Sequence, residues 1–157
     1  MTYSWLKFLH LIAVLALLGT HGASMTVLYA IRRERDRTKI MTMMALSGQA
    51  TVPMYISIGA VVVFGVLLWV KFYGLGTTWL WLALVLLIAM VGLMTATAKP
   101  YFARVKEACQ LRPSGVPRVS DEELAEVLMS AKAHLITAIG VIGTLVILYL
   151  MVFKPKL

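Results

Sequence analysis

Apolar residues dominate four long runs of this chain, and shorter polar stretches separate the runs. Each run is close to or above the roughly 20 residues that an α-helix needs to cross the hydrocarbon core of a bilayer. We therefore predict four transmembrane helices joined in part by two polar loops. The predicted helices are 5–31, about 52–70, about 78–98 and about 133–153, and the polar loops are 32–40 and 99–132.

Two prolines interrupt these runs. Residues 40–70 carry no charge and are longer than one crossing, and Pro53 divides them into a polar-spotted front and an apolar back. Because proline removes a backbone hydrogen bond and clashes with the preceding turn, we predict a helix that starts at the membrane surface and kinks near Pro53. Pro100 is predicted to kink or end the third helix. The first run is too long for the apolar part of a cleaved signal peptide, so we expect it to be retained.

The start of the fourth helix has a clear local signal. Ser120 is followed three residues later by Glu123, which is the spacing of a capping box. Apolar residues then recur at helical spacing, so this helix is predicted to begin in water, run amphipathically and enter the lipid. The Pro113–Pro117 segment is typical of a turn.

The distribution of charge gives the orientation. The chain has 15 Lys and Arg against 7 Asp and Glu, yet it is 61% hydrophobic and only 14% charged. Its basic residues lie beside apolar runs, which is typical of membrane topology and not of nucleic-acid binding. The positive-inside rule places the two polar loops in the cytoplasm and both termini on the extracytoplasmic side of a bacterial cytoplasmic membrane. The cytoplasmic set is Arg32, Arg33, Arg35, Arg37, Lys39, Lys99, Arg104, Lys106, Arg112, Arg118 and Lys132, and the opposite set is Lys7, Lys71, Lys154 and Lys156.

The predicted fold class is therefore all-α: a polytopic membrane protein whose single domain, residues 1–157, is a four-transmembrane-helix bundle with cytoplasmic helical extensions. Small residues at helical spacing allow close approach of a neighbouring helix. They occur at Ala89, Gly92 and Ala96 in the third helix and at Gly140 and Gly143 in the fourth.

The histidines are the main candidates for chemistry, because ionisable side chains inside a bilayer are costly and often functional. His10 and His21 are separated by a spacing that places them within roughly 20° of one helix face and about 16 Å apart along the axis. His134 enters the fourth helix from the cytoplasmic side. All three are candidate axial ligands of haem b, as His21 with His134 or as His10 with an unassigned partner. The alternative is that each histidine donates one hydrogen bond to a neighbouring helix.

Other chemistry has weaker support. No Asp or Glu lies inside the four spans, which argues against an ion-coupled carrier or pump. Met41, Met43 and Met44 suggest copper, but methionine is also a common filler of apolar cores. Cys109 stands alone, so it can form neither an internal disulfide nor a thiolate cluster. No catalytic motif is present. The basic loops either bind anionic lipid headgroups or serve topology alone.

The opening helix, WLKFLHLIAV from Trp5 to Val14, resembles that of a loose group of small bacterial membrane proteins. The group includes HemJ-type protoporphyrinogen oxidases, CopD-like copper-resistance proteins and an integral-membrane family of similar size without an established activity. The shared pattern is a lysine, then a histidine three residues on, then an apolar run with glycine; here it is Lys7, His10 and Gly19. In the oxidases the matching histidine is thought to hold haem, which nominates His10. Those oxidases also have a lysine in a later helix, whereas the third run here has none before Lys99.

Three functions follow as hypotheses. The first is a non-catalytic integral-membrane subunit or accessory protein that acts through helix contacts with other membrane subunits or with a copy of itself. The second is a haem-b protein in electron transfer or haem metabolism. The third is a small transporter, which the lack of a carboxylate in the spans disfavours.

Overall fold

Six α-helices and one π-helical turn lie within residues 2–156, the part of the chain that this computed structural model describes. Within that range there is no strand, only one isolated β-bridge between Leu111 and Pro117. The prediction of an all-α fold is confirmed. The helices are α1 Tyr3–Arg33, α2 Arg37–Gln49, α3 Thr51–Leu68 with the π-helical turn Trp69–Tyr73, α4 Thr78–Cys109, α5 Asp121–Met129 and α6 Lys132–Phe153.

Four helical stretches are long and apolar enough to cross a membrane, as predicted for a multi-pass bundle. They are Tyr3–Arg33, Arg37–Tyr73, Thr78–Cys109 and Asp121–Phe153. Inside the bundle α1 packs along α3 and α4 packs along α6. The two pairs are joined by contacts between α1 and α6 and by the short helices α2 and α5 at one end. Most apolar side chains of the spans are not buried inside the chain and face outward from the bundle.

Both prolines named above, Pro53 and Pro100, lie inside helices. The break predicted near Pro53 lies at Ala50, between α2 and α3. Pro53 then occupies the first turn of α3, where a missing N–H costs little because that N–H has no partner within the helix. Pro100 does not end α4, which continues to Cys109. Beyond the proline, the buried side chains of Tyr101 and Val105 hold the helix against its neighbours.

The main buried cluster lies at what we call the basic end, residues 32–40 and 99–132 with the adjoining helix ends. Five helices contribute side chains to it, and burying one leucine or isoleucine stabilises a fold by about 1.5–3 kcal/mol. This end is therefore the best-packed part of the molecule. The cluster comprises Leu28, Ile31, Ile40, Tyr101, Val105, Ala108, Cys109, Leu124, Leu128, Ala133 and Ile136.

The capping box predicted for the fourth span is present. The Ser120 hydroxyl accepts from the Glu123 N–H at 3.2 Å, and the Glu123 carboxylate accepts from the Ser120 N–H at 3.1 Å. These bonds start α5, which is a separate short helix before α6. The junction comes at Ser130 and Ala131, so the predicted continuous helix is in fact two helices.

The opposite end, which we call the aromatic end, gathers rings from three spans. Tyr3 and Tyr73 join α1 to the turn after α3, with their hydroxyl oxygens 3.1 Å apart. Lys154, just after α6, donates to the Tyr73 hydroxyl at 3.1 Å. That hydrogen bond stabilises the ammonium and raises the pKa of Lys154. Trp69 and Trp81 stack edge to face at 4.5 Å and link α3 to α4.

Candidate functional site: the histidines and the helix faces around them

The side chain of His10, a residue of α1, lies against α3 and is half-buried. Its Nδ1 is 3.1 Å from the carbonyl oxygen of Val61. A carbonyl only accepts, so Nδ1 donates, and in the neutral ring Nε2 keeps its lone pair. Gly65 makes room for the ring, because a Cβ at that position would lie 3.1 Å from His10 Cε1. The local arrangement thus fixes both the tautomer and the orientation of this imidazole.

His21 meets a different helix. Its Nε2 lies 2.6 Å from where a Cβ on Gly140 would stand, so only glycine on α6 permits the contact. The methyl group of Met94, on α4, approaches the same point at 3.6 Å. His21 is therefore held where α1, α4 and α6 come together. Within residues 2–156 the hydrogen bonds of histidine rings are those of His10 and His134, which leaves the His21 ring held by packing.

His134 is exposed at the basic end. Arg32 Nη2 lies 3.2 Å from His134 Nε2, and the Tyr29 hydroxyl lies 3.4 Å from Nδ1. A guanidinium has no acceptor, so Arg32 donates and Nε2 accepts. The neutral ring then carries its proton on Nδ1 and donates to Tyr29. The lone pair that an iron would need on His134 is engaged by Arg32.

The structure does not bring the three histidines to one point. His10 packs on α3, His21 packs on α6, and His134 bonds to Arg32 at the basic end. Across residues 2–156 no group of three or more His, Cys, Asp and Glu side chains is arranged to hold a metal ion. Of the three rings, His10 has the best-defined free nitrogen, because its Nδ1 donates to the Val61 carbonyl.

Two arginines of the predicted cytoplasmic set, Arg32 and Arg37, have structural roles. Arg32 is buried and donates to the carbonyls of Ser130 at 2.9 Å and Met129 at 3.4 Å. Arg37 donates to the carbonyls of Ala108 and Val119. A guanidinium offers five donors in a planar fork, which suits a residue that ties several segments together. No local pattern indicates these roles, because the acceptors lie far along the chain.

Arg37 also forms the one ion pair found within residues 2–156, with Asp121 at 2.7 Å. Nearby, Glu34 accepts backbone N–H groups of Asp36 and Arg35, and these bonds lower the pKa of Glu34. The Glu34 contacts order the short connection between α1 and α2, and the ion pair ties the start of α2 to the start of α5. The basic end is consequently a folded cap of the bundle and not a loose loop.

Of the two predicted small-residue faces, the one on α6 is covered inside the bundle and the one on α4 is open. On α6, Gly143 is covered from inside the bundle, since a Cβ there would lie 2.7 Å from Met90 Sδ on α4. On α4, a Cβ added to Gly92 would meet nothing within 4 Å, and Ala89 and Ala96 are exposed beside it. Met90 and Gly92 are two residues apart, about 200° around the helix. The small-residue face of α4 therefore points away from α6.

Comparison of the chain with protein-family models, curated proteins and solved structures gave no match. The geometry of the site is thus the basis for the functional assignment.

Proposed function

We propose that the protein is a non-catalytic integral-membrane subunit or accessory protein that acts through helix contacts in a membrane complex. The observation that carries the proposal is the open face of α4 at Ala89, Gly92 and Ala96. Small residues allow two helix backbones to approach closely inside lipid, where packing drives association. The equivalent small residues of α6 are already covered by His21 and Met90 within the chain.

The extent to which each span is buried inside the chain also supports a partner site at this face of α4. Only 6% of the most apolar window of α4 is buried inside the chain, against 17% for the span that contains α6. The helix with the least internal cover is thus the one with the unfilled small-residue face. A partner helix, from another subunit or from a second copy of the chain, fits this face.

Gly92→Leu is expected to break the association, because a leucine side chain holds a neighbouring backbone away from α4. The measurement is the mass of the purified protein in detergent, together with cross-linking in native membranes. The wild-type chain should be found in a complex, and Gly92→Leu should shift most of it to the monomer.

Gly59→Leu is the matched control. Gly59 is also exposed in the middle of a span, and a Cβ there meets nothing within 4 Å. This variant should keep the complex. A monomeric wild-type protein without cross-linked partners would contradict the proposal, and so would equal losses in the two variants.

A second candidate is binding of haem b through His10. The observation that favours it is the Nδ1 hydrogen bond to Val61, since ligating histidines usually donate their other ring N–H to a carbonyl or carboxylate. His10 would be the axial ligand, and bound haem would supply one-electron transfer. The chain's own contribution is to fix the His10 tautomer and ring orientation through Val61 and Gly65.

An absorption spectrum of the solubilised full-length protein, oxidised and reduced, tests this candidate. Haem ligation predicts a Soret band that His10→Ala abolishes or shifts. His134→Ala should leave the band unchanged, because the His134 lone pair is engaged by Arg32. His21→Ala shows whether the second inward-facing ring contributes. A haem-free protein from haem-replete cells, or a spectrum that His10→Ala does not alter, would contradict haem binding by His10.

A further inference from the structure

A cleft of about 610 Å³ opens at the basic end between α4, the segment after it and α5. Arginines from separate positions converge on it: Arg104 from α4, and Arg112 and Arg118 from the connecting segment. Ala108, Val119 and Val127 give it an apolar floor. An apolar floor with convergent charged groups is the usual composition of a small-ligand site.

The segment that carries two of these arginines is held as a small hairpin. Arg112 N–H donates to the Val116 carbonyl at 2.8 Å, and Arg118 N–H donates to the Gln110 carbonyl at 3.1 Å. Gly115 closes the turn with a φ of 78°, which is a conformation that glycine adopts readily. The backbone positions of Arg112 and Arg118 are therefore set within the hairpin, independently of any ligand, and Arg112 Nη2 also donates to the Arg118 carbonyl at 3.4 Å.

No ion pair within residues 2–156 neutralises the arginines of the cleft. The ion pair within residues 2–156 uses Arg37 and Asp121, so no carboxylate of that range lies within ion-pair distance of Arg104, Arg112 or Arg118. Glu107 lines the cleft as its single acidic group, which leaves an excess of positive charge. Arginine side chains bind phosphate oxygens through paired N–H groups, so the cleft suits phosphate better than a simple halide.

The distance of the cleft from the predicted membrane core suits a ligand at the membrane surface. Arg104 lies six residues beyond Ala98, the predicted end of the third span, which is about 9 Å along a helix. The headgroup layer extends about 5–7 Å beyond the hydrocarbon core on each side. The backbone of Arg104 would thus lie just outside that layer, so its long side chain can reach both lipid phosphates and phosphates in solution.

We infer that this cleft is a binding site for a phosphate group, held by Arg104, Arg112 and Arg118. The inference is independent of the proposed subunit role, because it uses neither the open face of α4 nor the histidines. The phosphate belongs either to an anionic lipid headgroup or to a soluble phosphate compound.

Two probes separate these sources. The full-length protein is placed in phosphatidylcholine nanodiscs with or without phosphatidic acid, and retained lipid is identified by native mass spectrometry. Pyrophosphate is titrated calorimetrically into the phosphatidylcholine sample. Retention of phosphatidic acid alone identifies a lipid site, and heat from pyrophosphate alone identifies a soluble ligand. Binding of both supports the shared phosphate chemistry.

The decisive variant is Arg104→Gln/Arg112→Gln/Arg118→Gln. Binding should weaken roughly fivefold for each arginine removed, the effect expected for one basic residue near an anionic surface. Arg33→Gln/Arg35→Gln/Lys39→Gln removes the same charge from the same end of the molecule but outside the cleft, and should change binding less than about twofold if the cleft is the site. Glu107→Gln removes the opposing charge and should tighten binding.

Absence of binding by both probes overturns the inference. Equal weakening of binding in the two triple variants also overturns it, because binding would then depend on the total charge of this end and not on the cleft. The exposed positions of the three arginines make misfolding of the cleft variant a poor explanation for its loss. Tighter binding by Glu107→Gln provides a further check, because misfolding would weaken binding.

Discussion

Arg32→Met is expected to destabilise the folded protein by about 3 kcal/mol. Arg32 is only 7% exposed and donates to Ser130, Met129 and His134. Hydrogen bonds from a charged group each contribute about 1.5–3 kcal/mol, and methionine leaves the carbonyls at the end of α5 without these donors. The measurement is the free energy of unfolding in mixed detergent micelles, followed by circular dichroism.

The neighbouring residue provides the control. Arg33 is exposed and its side chain forms no hydrogen bond within residues 2–156. Arg33→Met removes the same charge from the next position and should leave stability unchanged within error. Equal destabilisation by the two variants would mean that net charge at this end matters and that the Arg32 contacts do not.

Gly140→Leu is expected to cost about 3 kcal/mol for a different reason. The new Cβ would stand 2.6 Å from His21 Nε2 and 3.6 Å from the Met94 methyl group, so the ring or the helix must move. Overpacking of this kind typically costs about 1–3 kcal/mol, and a leucine adds three carbons beyond Cβ. The free energy of unfolding, measured as for Arg32→Met, reports the effect.

A double-mutant cycle with His21→Ala separates steric clash from helix propensity. Removing the imidazole makes room for the leucine, so the pair should be more stable than the sum of the single effects predicts, by about 1–2 kcal/mol. Gly59→Leu, placed where a Cβ meets open space, should be neutral or stabilising. Strict additivity of His21→Ala and Gly140→Leu would contradict the contact between α1 and α6.

Local signals in the sequence predicted local structure well. The Ser120–Glu123 capping box needs only residues three apart, and both of its hydrogen bonds form. The four spans follow from composition and length alone, and their helices are present. Local signals predicted helix ends less well: α4 continues past Pro100 to Cys109, and a junction at Ser130 and Ala131 separates α5 from α6.

The candidate site depends on which helix lies beside which, and periodicity along one helix cannot give that. His10 and His21 share a face of α1 by spacing, yet α3 covers the first and α6 covers the second. The anchoring roles of Arg32 and Arg37 were missed for the same reason, since their acceptors lie 98 and 71 residues away. Gly65 also looks like an ordinary membrane glycine until the facing His10 ring is known, and the predicted small-residue face at Gly140 did not indicate that a histidine covers it.

The hydrogen-bond acceptors of Arg32 are synthesised long after Arg32 itself, which affects the order of folding. The chain is made from its N-terminus, and the Ser130 carbonyl follows Arg32 by 98 residues. At about 5–20 residues per second, the ribosome needs roughly 5–20 s to deliver that acceptor. During this interval the Arg32 guanidinium must stay hydrated, and only the arrival of α5 and α6 provides the acceptors that allow it to withdraw from water.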